Sequence, residues 1–294
     1  MPIESSRRGV IIENVVSLRS SADSKAEQTT QALLGQPVKV EAGQGEWLFV
    51  QTWDTYRAWI PARAVRILAR DEDEYASLGP VAVIRELIAD IFSEPHERSE
   101  IITKVTLSVE IEVIDPTNGW VELKLPDGRH GFIRKNEARL IDKDLTGTIP
   151  LPYPKKIIET AMRFIGTPYL WGGTSPFGID CSGFIQLVHH IHGVTLLRDA
   201  YMQASDPRAE RVTRDNLRAG DLVFFGKGTD PDFKSITHVG MMADSERFIH
   251  SCGSHGVIVT PINNPEYTRI FWGARRMRLE TLDPGGGVSD DLLV

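Results

Sequence analysis

Apolar and polar residues alternate through "PVKVEAGQGEWLFV" at 37–50 and again through "EIEVIDPTNGWVEL" at 110–123. A shift of 73 residues superposes the two without a gap, pairing Val40 with Val113, Trp47 with Trp120, Trp59-Ile60 with Phe132-Ile133 and Arg66 with Arg139. Each copy is a series of short alternating segments broken by Gly, Asn, Asp and Pro, which predicts a small antiparallel barrel. Two tandem barrels are expected, at about 10–68 and 83–141, joined by the charged connector "ARDEDEYASLGP". A second linker, "DKDLTGTIPLPYP", follows, and the tail at 282–294 has three consecutive glycines and no periodicity, so it is expected to be mobile.

The period changes after residue 154. Ile157, Ile158, Ala161 and Ile165 recur at helical spacing between Pro154 and Gly166, and Phe184, Leu187, Val188 and Ile191 form a second helical stripe beginning just after Cys181. "DLVFFG", "THVGMMA" and "RFIHSCG" then read as strands. The block 154–280 is thus expected to be α+β, helices first and an antiparallel sheet after.

The stretch "GGTSPFGIDCSGF" at 172–184 places Asp180 at a helix N-cap and Cys181 in the first turn. Unpaired N–H groups and the positive end of the helix dipole would lower the thiol pKa there, and the glycines would let a substrate backbone approach. A lone cysteine is otherwise a small buried hydrophobe. A base is available if "THVGMMADSERFIHSCG" is a hairpin turning at Ala243-Asp244-Ser245. Facing partners then have numbers summing to 488, so His238 and His250 oppose each other on one face, one imidazole orienting the other. A one-residue slip would break the pairing. The other six histidines lack this symmetry; His189 and His192 share a helix face, where solvation is the ordinary fate and metal binding the alternative.

Composition narrows the field. The chain has 294 residues, enough for two or three compact units. Its 33 basic against 40 acidic residues give a net charge of -7 with no basic run, which argues against nucleic acid as a partner. No apolar run approaches the roughly 18 residues of a membrane helix, and the apolar stretch near the start is broken by Glu13 and Asn14. Two cysteines, Cys181 and Cys252, are sparse for a disulfide framework, so a cytoplasmic setting is expected, with no cofactor.

"GTPYLWGGTSPFGIDCSGF", "RDAYMQ", "GDLVFF", "THVGMM" and "RFIHSCG", in that order over about 120 residues, resemble the NlpC family of papain-like cysteine peptidases. The upstream pair resembles bacterial SH3-like domains through its Trp and "WIP" or "GFI" segments. The whole is similar to cytoplasmic γ-D-glutamyl-L-diamino-acid endopeptidases that recycle cell-wall peptides. The resemblance implies Cys181 as nucleophile, His238 as base, His250 as orienting residue and Tyr169 at the oxyanion site. It further implies that Asp180, Ser182, Arg198, Asp199 and Gln203 shape the D-glutamate pocket, with Ala200 where some relatives carry a hydroxyl. Tyr56, with Glu27 as candidate acid, would hold the free amine of a leading L-alanine. The implied partner is a stem peptide, L-Ala-γ-D-Glu followed by diaminopimelate or lysine. Three alternatives stand beside this reading: a zinc centre built from Cys181, His238, His250 and Cys252, a non-catalytic wall-peptide adaptor, and a papain-like amidase or acyltransferase.

Overall fold

The structure is a computed structural model that describes residues 7–144 and 154–278. Its contacts group into two compact units, 1–146 and 147–294.

The first unit holds two seven-stranded antiparallel sheets. The first comprises β1 (Arg7–Ile11), β2 (Val15–Arg19), β3 (Gln28–Leu33), β4 (Pro37–Gln44), β5 (Trp47–Gln51), β6 (Arg57–Pro61) and β7 (Val65–Ile67). The second comprises β8 (Pro80–Ile84), β9 (Ile88–Phe92), β10 (Ile101–Thr106), β11 (Glu110–Thr117), β12 (Trp120–Lys124), β13 (His130–Arg134) and β14 (Ala138–Asp142). Every strand of the second begins 73 residues after its counterpart, and the strand orders, β3-β2-β6-β5-β4-β1-β7 and β10-β9-β13-β12-β11-β8-β14, are the same path. Even a bulge repeats, between Val40 and Ala42 on β4 and between Val113 and Asp115 on β11. Alternation places Val40, Val50 and Ile60 in the first core and Ile111, Val121 and Ile133 in the second.

The connector is more than a charged spacer. The Tyr75 hydroxyl donates to the Lys124 carbonyl at 2.6 Å and accepts from the Glu112 N–H at 3.3 Å, while Arg66 Nε donates to the Pro126 carbonyl at 2.6 Å. Leu33 and Leu34 of the first copy are buried within the core of the second. The copies also differ on their surfaces. Arg134 lies 5.2 Å above the Phe92 ring and 5.8 Å from that of Trp120, paired to Glu97 and Glu137. At the corresponding places the first copy has Pro61 and Arg19 beside Trp47.

The second unit begins with α1 (Pro154–Met162), which ends before Ile165; that residue is exposed rather than on the packed stripe. A two-residue ribbon, β15 (Thr174–Ser175) with β16 (Gly178–Ile179), leads into α2 (Cys181–His190). Helix α2 is buried on all sides from Cys181 to His189, so the expected single stripe understates its enclosure. His189 is accordingly not on a solvated face: it is buried, with Nδ1 donating to the Ile185 carbonyl at 2.7 Å, and His192 Nε2 meets Thr160 Oγ1 at 2.8 Å. After α3 (Ala200–Ala204) come β17 (Ala209–Val212), β18 (Leu222–Gly226), β19 (Ile236–Met242), β20 (Arg247–Cys252), β21 (Gly256–Pro261), α4 (Pro265–Arg269) and β22 (Phe271–Met277). These strands form one antiparallel sheet in the order β17-β22-β18-β19-β20-β21. Most of the second linker and the tail at 282–294 lie outside the described residues.

A Cβ on Gly131 would stand 2.4 Å from Ile91 Cγ2 and 2.8 Å from Ile102 Cδ1, whereas its counterpart in the first copy is already alanine, Ala58. Gly131→Ala is therefore expected to destabilise the first unit by about 1–3 kcal/mol through overpacking. Urea denaturation followed by tryptophan fluorescence checks this, and an unchanged midpoint would contradict it.

Candidate active site

Asp180 organises the turn that delivers the cysteine. As N-cap of α2 its Oδ1 accepts the Gly183 N–H at 2.7 Å, and Oδ2 accepts the Gly172 N–H at 3.0 Å. Arg198 closes a bidentate pair with it, NH1 to Oδ1 at 3.0 Å and NH2 to Oδ2 at 2.5 Å, and also reaches Ser182 Oγ at 3.0 Å. Gln203 donates to the Ser182 and Leu197 carbonyls at 3.0 and 2.9 Å. Asp180, Ser182, Arg198 and Gln203 are all buried, so they brace the turn that carries Cys181; Asp199 is the half-buried residue preceding α3.

The glycines serve the chain's own backbone rather than only a substrate's approach. A Cβ on Gly173 would lie 2.3 Å from the Gly178 carbonyl oxygen, and one on Gly183 would lie 2.3 Å from that of Gly173. No larger residue fits where the loop, the ribbon and the helix converge.

The hairpin differs from expectation by two residues. Met241 faces Ile249 and Met242 faces Phe248, so the turn is centred on Ser245, and His238 and His250 are diagonal rather than directly opposed. Because side chains alternate with period two, a two-residue shift keeps both on one face. Their rings meet, His238 Nε2 to His250 Nδ1, at 2.8 Å. The diagonal reach needs space, which Gly240 leaves open: a Cβ there would stand 3.1 Å from that of His250 and 2.6 Å from Phe248 Cδ2.

The β19–β20 ladder pairs only Met241 with Ile249 and Met242 with Phe248, and α2 packs against both strands. The Val239 and Ser182 backbones lie near enough to the Cys181 sulfur to favour its thiolate, which places the thiol beside the residue next to His238. Ser251, on the face opposite His250, donates from Oγ to the Ile179 carbonyl at 2.7 Å and ties β20 to the same turn. Tyr169 is half-buried, bridges to Ile179, and has its hydroxyl pKa raised by burial and then by the neighbouring Cys181 and Asp180.

Three residues absent from the sequence reading complete the site: Ser251, Thr260 and Tyr267. His250 Nε2 lies 2.9 Å from Thr260 Oγ1, and the Tyr267 ring stands edge-on to His250 with centroids 5.0 Å apart. Both nitrogens of His250 are thus engaged. Among the described residues no group of three or more His, Cys, Asp or Glu side chains is placed to hold a metal ion, so the zinc alternative lacks its geometry. Cys181 and Cys252 are both free thiols. Tyr56 and Glu27 belong to the first unit, where Tyr56 is half-buried against the barrel core and Glu27 is exposed in the β2–β3 loop.

Electrostatics correct one expectation. Burial pushes the Cys181 thiol up to about 12, assisted by the Asp180 charge, and outweighs the N–H groups at the helix start. Burial also lowers His238 to about 4 and His250 to about 3, the latter assisted by His238. Burial thus favours thiol and neutral imidazole over thiolate and imidazolium.

Burial likewise lowers His189 to about 4. Against an ordinary value near 6.5, these histidines take up protons more readily when unfolded, so their contribution to stability is complete above about pH 6.5 and lost as pH falls toward 4. The urea midpoint is expected to drop between pH 7 and pH 5. His189→Gln, which keeps a donor for Ile185 and does not titrate, should flatten that slope by on the order of 1–2 kcal/mol; an unchanged slope would sink this assignment.

Known proteins resemble this chain. Residues 166–276 match the family described as NlpC/P60, and residues 18–75 match the bacterial dipeptidyl-peptidase Sh3 domain. The chain is 31% identical over 260 residues to the γ-D-glutamyl-L-lysine dipeptidyl-peptidase of Bacillus cereus, covering 84% of this chain and 74% of that one. It is also 31% identical over 223 residues to dipeptidyl-peptidase 6 of Lysinibacillus sphaericus, covering 74% and 80%. A crystal structure of an NlpC/P60 family protein from Bacillus cereus superposes with a TM-score of 0.80 at 25% identity, covering 92% of this chain and 99% of that one. With its cysteine at a helix start and its imidazole pair alongside, the chain belongs to the NlpC/P60 family of cysteine peptidases.

Proposed function

We propose that this chain hydrolyses the bond between γ-D-glutamate and the following diamino acid in cell-wall stem peptides that begin with a free L-alanine. The observation that carries the reading is the half-buried 2.8 Å contact between His238 and His250, on the strand whose Val239 backbone acts on the Cys181 thiol. The names of the Bacillus relatives support the substrate class.

Nucleophilic attack proceeds from the neutral pair. As the Cys181 sulfur attacks the γ-carbonyl, its proton passes to His238 Nδ1, the nitrogen not engaged with His250. The Tyr169 hydroxyl and the Cys181 N–H stabilise the oxyanion. The imidazolium then returns the proton to the leaving amine, and the C–N bond breaks to give a thioester. Water, deprotonated by His238, cleaves the thioester and restores the thiol.

Both seven-stranded sheets are assigned here as SH3-like barrels, at 10–68 and 83–141, followed by the catalytic domain at 154–280; the shared 73-residue offset supports the second barrel, since the matched domain covers only the first. Tyr56 and Glu27 are retained as the site for the alanine amine, and a role in recycling inside the cytoplasm completes the reading, testable by cell fractionation.

The purified protein is expected to convert L-Ala-γ-D-Glu-L-Lys, or its diaminopimelate analogue, to dipeptide and free diamino acid by mass spectrometry. Cys181→Ala should abolish the reaction, and N-acetylation of the alanine should prevent it. Equal rates on blocked and free peptides would overturn the amine site; activity in Cys181→Ala would overturn the whole mechanism.

A further inference from the structure

His238 and His250 leave one question of chemistry open: which nitrogen carries which proton. An imidazole pair joined by a single hydrogen bond can be polarised in either direction, and only one direction leaves a base facing the sulfur. His238 can accept the thiol proton at Nδ1 only if its own proton resides on Nε2. That Nε2–H must then be donated to His250 Nδ1, which lies 2.8 Å away. His250 Nδ1 is therefore the acceptor, and its proton must sit on Nε2. The tautomer of a histidine is set by the partner of its other nitrogen. That partner is the Thr260 hydroxyl, 2.9 Å from Nε2.

We infer that Thr260 is a positioning residue of this active site, whose hydroxyl accepts the Nε2–H of His250 and so fixes the direction of every proton in the chain from sulfur to strand β21. The inference rests on the catalytic reading of Cys181 and His238 given above.

The surroundings leave His250 no substitute. It is fully buried, and Thr260 is buried beside it. Phe248 stacks on one side with centroids 4.5 Å apart, and Tyr267 stands edge-on at 5.0 Å. The charge that bears on the pair is Asp180, which favours protonation of His238, and the titratable group facing both rings is Tyr267, whose phenol burial keeps protonated. Without the hydroxyl, an Nε2–H on His250 would be buried and unpaired, an unfavourable state. His250 would shift its proton to Nδ1, and His238 would have to accept at Nε2 and carry its own proton on Nδ1, facing the sulfur. That tautomer cannot act as base. Thr260 reaches this position through strand pairing, since β21 runs beside β20 with Thr260 opposite Phe248 and His250 opposite Ile258.

The test compares Thr260→Val, which keeps the shape, with Thr260→Ser, which keeps the hydroxyl. Three readouts are taken: kcat and KM on the tripeptide, the pH dependence of Cys181 alkylation by iodoacetamide, and imidazole ¹⁵N NMR of the His250 tautomer. Wild type should show His250 protonated at Nε2. Thr260→Val should lower kcat about tenfold, the worth of one buried hydrogen bond, with little change in KM. It should also slow alkylation and show His250 protonated at Nδ1, and Thr260→Ser should recover all three. Wild-type kcat and tautomer in Thr260→Val, or a serine variant as impaired as the valine one, would overturn the inference. If Thr260→Val fails to fold, the wild-type spectrum decides, because His250 lacking a proton on Nε2 is sufficient to refute it. Alkylation and NMR need no substrate, so a wild type that ignores the tripeptide yet shows the expected tautomer would refute the proposed substrate and leave Thr260 in place.

Discussion

A single carboxylate holds the catalytic unit in register. Asp180 accepts two backbone N–H groups, from Gly172 and Gly183, and a guanidinium, from Arg198, while sheltered from water. Removing one member of such a buried pair leaves an uncompensated charge, typically 3–5 kcal/mol unfavourable. The same contacts fix where α2 starts, how closely the glycine loop approaches it, and where Ser182 and hence Cys181 are placed. The position of Cys181 is thus a property of an ion pair and two tight backbone crossings, with the helix dipole as a smaller contributor.

The β19–β20 ladder is short where it meets that turn. While β19 and β20 are paired they are ordinary strands; where the pairing stops, the Val239 backbone comes near the Cys181 sulfur and His238 reaches diagonally to His250 over the space left by Gly240. Side chains at the end of a regular ladder are available for function while the remaining pairs hold them in place.

How much of this was legible from residues alone depends on how local each signal is. The duplication could be read because alternation and turn residues repeat at a fixed spacing, and every strand start obeys it. The cap at Asp180 and the pairing of two histidines were equally local. The hairpin register was not, since its turn contains no residue that forces one loop length, but period-two alternation protected the conclusion from the two-residue error. Thr260 lies in "VIVTP", an unremarkable strand, and becomes significant only through its register against β20. The direction of the thiol shift was also out of reach, because it depends on how deeply the three-dimensional packing encloses the sulfur.

The two duplicated sheets carry a consequence for how the first unit loses its structure. Leu33 and Leu34 belong by sequence to the first copy, yet they are buried in the core of the second. Cutting the copies apart would expose both leucines on one fragment and open a void in the other. Melting of the pair is for that reason expected to be a single cooperative event, with neither copy an interchangeable module that could be grafted elsewhere without its neighbour.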